Sequence, residues 1–120
     1  MQLLKIYYAY FSPGNTTEKV VSHIASSFQN YPVESINLTD YATRQEDYYF
    51  KENELLIIGV PAYGGRVPAP VVDALRHFTG SNTPVVLVAT YGNRDIDDTL
   101  IELKKNVIDK GFIPVGAASF

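Results

Sequence analysis

Cysteine is absent from the 120-residue sequence, which excludes disulfides, thiolate catalysis and cysteine-ligated metal or iron–sulfur centres. The only two histidines, His23 and His77, are far apart and lack the spacing of metal ligands. The net charge is -3 and no basic run occurs, so no nucleic-acid partner is expected. No apolar run approaches the roughly 18–20 residues of a membrane span, and the start does not resemble a signal peptide. We therefore expect a single cytoplasmic domain over residues 1–120 that has no contact with membranes.

Apolar segments alternate with amphipathic ones along the whole chain. Strands are predicted at 3–11, 33–39, 55–60, 85–89 and 113–120, the second of them at a sheet edge. Helical spacing predicts helices at about 15–30, 71–78 and 96–107, and a short, poorly defined helical crossover is expected within 40–53. This alternation predicts an α/β fold: a three-layer α/β/α sandwich with a mostly parallel sheet and right-handed crossovers.

A hydroxyl-rich turn, Ser12 to Thr17, follows the first apolar strand. Asn15 and Glu18 have the spacing of a capping box, which predicts a helix start at this point. Backbone N–H groups and a helix dipole at such a turn can hold a phosphate without a lysine. A purely structural strand–helix turn is the alternative explanation.

Two further turns follow buried strands, Pro61 to Arg66 and Thr90 to Arg94. In a parallel sheet the carboxyl ends of the strands share one edge, and ligands bind outside that edge. We therefore expect all three loops to converge on one ligand site. Asp95, Asp97 and Asp98 begin the next helix, where the dipole favours acidic residues, so they do not indicate a metal.

The loops that carry a family resemblance are Gly59 to Pro68 and Ala89 to Asp95, together with the first turn. They resemble those of flavodoxin-like domains, and most of all the flavodoxin half of bacterial flavodoxin–ferredoxin fusion proteins. The resemblance covers essentially the whole chain and implies a five-stranded parallel sheet of order 2-1-3-4-5. Flavodoxins usually add a helix after the fifth strand, and no such helix is expected here. A truncated chain, or a second subunit covering the exposed face as in a homodimer, would account for that difference.

The resemblance implies FMN as the cofactor and assigns a role to each loop. The first loop would hold the phosphate, and the other two would enclose the flavin ring, with Tyr63 or Tyr91 as a stacking partner. The Gly64-Gly65 pair would allow a backbone reorientation beside the ring. The implied cofactor-binding residues are Ser12, Pro13, Gly14, Asn15, Thr16, Thr17, Pro61, Ala62, Tyr63, Gly64, Gly65, Thr90, Tyr91, Gly92, Asn93 and Arg94.

The first loop departs from the family pattern at two positions. Gly14 stands where the family has Thr, and Asn15 stands where it has Gly, when the loops are aligned without a gap. A one-residue slip would instead align Gly14-Asn15-Thr16 with the family's Gly-Asn-Thr and shorten the loop. Two arginines, Arg66 and Arg94, occupy the ring-enclosing loops, where acidic residues are typical. Their charge would stabilise the reduced, anionic flavin and make its potential less negative.

Electron transfer by bound FMN, in exchange with a redox partner protein of ferredoxin type, is the function that this resemblance implies. No catalytic residue is expected, since both histidines fall on predicted helices away from the loops. A flavin-dependent reductase acting on NAD(P)H and quinones is one alternative. A flavin-free interaction module with the same fold is the other.

Overall fold

The computed structural model describes residues 2–90 and 96–120, and the side chains of Ile96 and Asp97 also lie outside the described part. In chain order, the elements are β1 (Lys5–Tyr10), α1 (Thr16–Ser26), β2 (Val33–Asn37), α2 (Tyr41–Arg44), β3 (Tyr48–Tyr49), β4 (Glu54–Pro61), α3 (Ala69–Leu75), β5 (Phe78–Thr79), β6 (Thr83–Thr90), α4 (Ile96–Ile108) and β7 (Phe112–Ser119).

Five of these strands form one parallel sheet in the order β2-β1-β4-β6-β7. This is the predicted 2-1-3-4-5 order once the two short strands β3 and β5 are set aside, so the predicted topology is confirmed. All eight residues of β4 are buried, as expected of a continuous apolar run at the centre of a parallel sheet. β2 is exposed along most of its length and lies at an edge, also as predicted.

Two apolar clusters, one on each face of the sheet, make up the core. On one face, Val21 and Ala25 of α1 pack against alternate residues of β1 and β4, such as Ile6 and Ile57. On the other face, side chains of α3 and α4 pack against the remaining alternate residues of the same strands. Helices therefore cover both faces, and the predicted α/β/α layering is confirmed.

Gly59 allows α1 to lie close to the central strand β4. A Cβ at this position would come within 3.0 Å of Val21 Cγ1, which is closer than real Cβ atoms approach, and would lie 3.0 Å from Thr17 Cγ2. Both neighbours belong to α1. The missing side chain therefore sets the distance between the sheet and the helix that follows the first loop.

The structure corrects three details of the predicted elements. Residues 40–53 contain a four-residue helix followed by β3, which pairs in parallel with β5. Phe78, predicted to end the helix after Pro70, lies in β5, because α3 ends at Leu75. α1 likewise ends at Ser26 and not near Asn30. Within residues 2–90 and 96–120, no helix is long and apolar enough to span a membrane.

Candidate functional site at the carboxyl edge of the sheet

Ser12 organises the first loop through hydrogen bonds in two directions. Its N–H donates to Thr39 Oγ1 at 2.7 Å, and its Oγ accepts from the N–H of Glu18 at 3.0 Å. The predicted capping box is wrong. Asn15 has φ 67° and makes no side-chain capping bond, so the hydroxyl of Ser12 replaces it as the acceptor. Left-handed φ is a conformation that Asn tolerates, and the loop therefore turns without a glycine at this position.

The first turn of α1 keeps several donors available. Within the described chain, the N–H groups of Gly14, Thr16 and Thr17 and the hydroxyl of Thr16 have no hydrogen-bond partner. Gly14 and Thr16 are exposed. The positive end of the α1 dipole lies at the same place, so the turn is suited to an anion.

Thr17 makes a contact that the sequence did not predict. Its side chain is buried, and its Oγ1 lies 2.6 Å from Oγ1 of Thr90 at the end of β6. This buried bond joins the first loop to the third, and either hydroxyl can be its donor. The hydroxyls of Ser12 and Thr16 are free to donate, and the predicted cofactor role of Thr17 stays a prediction.

The second loop is a tight hairpin. The N–H of Tyr63 donates to the carbonyl of Arg66 at 3.2 Å, and the N–H of Arg66 donates to the carbonyl of Tyr63 at 3.0 Å. Gly64 and Gly65 between them have φ 57° and φ 77°. Positive φ at both central residues is the requirement of a type I′ turn, which glycine meets without steric strain. The Tyr63 side chain is 52% exposed.

Arg66 does not face the expected flavin position as a free charge. Its Nε and Nη2 donate to the two carboxylate oxygens of Glu102 on α4, at 3.0 and 3.1 Å. The Arg66 guanidinium, followed by the Val67 N–H bond, lowers the pKa of Glu102 below its usual value. The ion pair offsets the charge of Arg66, so its predicted effect on a reduced flavin is weakened.

Thr90 is the one residue of the third loop that the structure describes, and it lies at the site. Tyr91, Gly92, Asn93 and Arg94 lie outside the described residues, and their predicted roles stay predictions. The N–H of Ala62 donates to the carbonyl of Thr90 at 3.1 Å, so the second and third loops start from the same point.

A cavity of about 160 Å³ lies where the first two loops and Thr90 meet. Its lining consists of Ser12, Pro13, Gly14, Thr16, Thr17, Pro61, Tyr63 and Thr90, all of which belong to the predicted site. Gly64 and Gly65 instead line a shallow cavity of about 490 Å³ on the α4 side of the hairpin. Sequence reasoning missed Thr39 and Glu102. The position of Thr39 at a fourth strand end could have indicated it.

Of the comparisons with known proteins, the one with solved structures finds matches to this chain. No protein-family model matches the sequence, and no curated protein matches it. Among solved structures, a short-chain flavodoxin associated with a non-canonical PDU bacterial microcompartment has 14% identity and a TM-score of 0.69, with 98% of this chain and 84% of that chain covered. A flavoprotein in complex with FMN from Lactobacillus acidophilus NCFM has 15% identity and a TM-score of 0.65, with 97% of this chain and 93% of that chain covered.

These comparisons support the family resemblance at the level of the fold. The expected closeness to flavodoxin–ferredoxin fusion proteins stays a prediction. At identities of 14% and 15% a structural likeness establishes architecture and no more. The chain has the flavodoxin-like fold.

Proposed function

We propose that the protein binds FMN at the carboxyl edge of the sheet and transfers electrons through it. The observation that carries this proposal is the cavity in which free N–H groups at the start of α1 face the base of the Tyr63 hairpin. The enclosed part of this cavity suits an anion, and Tyr63 at its rim supplies an aromatic side chain. FMN carries a phosphate and a planar ring system at its two ends.

The first loop supplies the chemistry that a phosphate needs. Three backbone N–H donors, the hydroxyls of Ser12 and Thr16, and the α1 dipole surround one end of the cavity. Glu18 is the one carboxylate in the first turn of α1. Its Oε2 accepts a hydrogen bond from the hydroxyl of Tyr10 at 3.3 Å, so the carboxylate is engaged with Tyr10. The residues present therefore fit a phosphate monoester.

The ring system would lie outside the enclosed part of the cavity. About 160 Å³ is below the roughly 300 Å³ of typical ligand pockets, so the enclosed part matches the phosphate end alone. Tyr63 is half-exposed at its rim, where an aromatic side chain can stack on a planar ligand. The hairpin would then contact one side of the ring.

Bound FMN would supply the redox chemistry, and the chain would supply binding, orientation and access. Within residues 2–90 and 96–120, both histidines lie away from the loops. His23 is exposed on α1, and the Nδ1 of His77 lies 2.8 Å from Oδ1 of Asp47. A role as an electron carrier, without an acid–base residue, suits this composition. We propose a redox partner protein, of ferredoxin type, as the source or acceptor of the electrons.

A binding titration tests the phosphate end of the site. FMN and riboflavin differ only in the phosphate, and quenching of their fluorescence reports binding. We expect Thr16→Val to weaken FMN binding by about tenfold, since it removes one donor to a charged group, and to leave riboflavin binding unchanged. Ser26→Ala at the other end of α1, where the hydroxyl bonds only to the carbonyl of His23, is the matched control.

Three results would contradict parts of the proposal. Absence of FMN and riboflavin binding by the unmodified protein would favour a flavin-free interaction module. Equal losses for FMN and riboflavin in Thr16→Val would place the phosphate elsewhere. Steady-state oxidation of NAD(P)H with a quinone by the FMN-loaded protein would favour a reductase over a carrier.

A further inference from the structure

The Tyr63 hairpin is attached to its surroundings at both ends of the segment 62–67. At the first end, Ala62 bonds to Thr90, the last residue before the third loop. At the second end, Arg66 and Val67 both bond to Glu102, in the second turn of the helix that follows the third loop. The hairpin is thus fixed to the two chain segments that flank residues 91–95.

Glu102 makes more contacts than a surface ion pair. Besides the two bonds from Arg66, its Oε1 accepts the N–H of Val67 at 2.9 Å. The carboxylate is only partly exposed, and Val67 beside it is buried in the core. By contrast, Lys5 and Glu34 are joined by one contact between side chains, at 2.7 Å. Glu102 therefore restrains a backbone position as well as a side chain, whereas Glu34 contacts a side chain.

We propose that Glu102 is a positioning residue that braces the Tyr63 hairpin against α4 and so fixes Tyr63 at the rim of the cavity proposed to hold FMN. The effect on flavin rests on the proposed function, whereas the bracing needs no ligand. The hairpin carries Tyr63 to the cavity at the start of α1, and the Glu102 carboxylate joins the hairpin to α4. Removing this carboxylate therefore loosens the position of Tyr63 beside the ring.

The contribution of this brace to global stability is expected to be small, because water can replace the partly exposed carboxylate as the acceptor of the Val67 N–H. Arg66 is largely exposed, and exposed ion pairs contribute little to the free energy of unfolding because water screens them. Its effect is local, on the positions available to residues 63–67. This combination separates a positioning role from a general structural one, since the local readout changes while the melting temperature does not.

Hydrogen exchange of the flavin-free protein tests the bracing directly. We expect Glu102→Ala to speed exchange of the Arg66 and Val67 amides about tenfold, and Glu102→Gln to have a smaller effect because an oxygen remains for Val67. Glu34→Gln, which removes the negative charge of the Lys5–Glu34 ion pair, is the control and should leave the exchange of these amides unchanged. Unchanged exchange in Glu102→Ala would refute the bracing.

Flavin titrations test the consequence for binding. Because the brace acts on the ring end, Glu102→Ala should weaken FMN and riboflavin by the same factor, about tenfold, with a melting temperature within about 2 °C of the unmodified protein. If the unmodified protein binds neither flavin, the proposed function fails, and the exchange experiment alone decides the bracing. If it binds both and Glu102→Ala binds them equally well, or if Glu102→Ala loses global stability instead, the positioning role is wrong.

Discussion

Replacing Gly59 by alanine should destabilise the protein chiefly through one steric conflict. The new Cβ would lie within 3.0 Å of Val21 Cγ1, whereas carbon atoms prefer about 3.5–4.0 Å. Valine in a helix is held near one χ1 rotamer, so the helix as a whole must move outward. Such overpacking costs about 1–3 kcal/mol, and the lower entropy of the unfolded chain returns about 0.5–1 kcal/mol. Because the Val21 contact is so close, the upper part of the overpacking range applies, and the net loss is about 1–2 kcal/mol.

The expected change in thermal stability follows from the size of the chain. Unfolding entropy of about 2.1 cal/mol/K per residue gives about 0.25 kcal/mol/K for 120 residues. A loss of 1–2 kcal/mol therefore lowers the melting temperature by about 4–8 °C, measured by calorimetry or circular dichroism. The matched control is Gly116→Ala in β7, where the new Cβ would meet only Val86 Cγ2, at an ordinary 3.8 Å.

A double-mutant cycle identifies the cause. Val21→Ala removes the conflicting methyl group at the cost of a cavity, and combined with Gly59→Ala it should lose less stability than the sum of the single changes by about 1–2 kcal/mol. A melting temperature of Gly59→Ala within 1 °C of the unmodified protein, or strict additivity in the double variant, would refute this account of the contact between sheet and helix.

Three further expectations follow from single contacts. Thr17→Val should cost about 1–3 kcal/mol in chemical denaturation because Thr90 loses a buried partner, and a Thr17→Val/Thr90→Val double variant should recover most of that loss. Gly111→Ala should cost at least about 2 kcal/mol by the same assay, because φ is 94° and the new Cβ would collide with the carbonyl oxygen of Gly80. The pKa of Glu102 is lowered, so its stabilising bonds should persist at neutral pH and be lost as pH falls through that lowered pKa; a flat NMR titration of the Val67 amide would contradict this.

The sheet order could be predicted because the signals for it are local and strong. Leu55 to Val60 and Val85 to Ala89 are apolar throughout, which only strands buried on both faces require. Right-handed crossovers then leave few possible topologies. The convergence of Ser12, Pro61 and Thr90 at one edge followed from topology without knowledge of any side-chain contact.

The errors arose where a tertiary contact overrides a local pattern. Phe78 fits the helical spacing of α3, yet its ring packs 5.3 Å from Phe50 and 5.1 Å from Tyr48, between centroids, which draws it into β5. Such contacts join residues about 30 positions apart, and no single-sequence pattern contains them.

The site residues show the same limit at finer scale. The Asn15–Glu18 spacing matches a capping box, but the Glu18 N–H donates to the hydroxyl of Ser12 and not to the side chain of Asn15. Arg66 looked like a free charge because Glu102 is 36 positions away in the sequence. Residue types at the site were predictable, whereas their partners depended on how the loops fold back.

The hairpin closed by Tyr63 and Arg66 forms on a different timescale from the five-stranded sheet. In the five-stranded sheet every strand pair joins segments linked by a long crossover, such as Tyr7 with Leu56, and folding dominated by such pairings takes milliseconds to seconds. The hairpin closes over two residues, and hairpins of this kind form in about 1–10 μs. The turn around Gly64 and Gly65 can therefore re-form while the sheet stays intact, and the bonds to Glu102 hold it in place between openings.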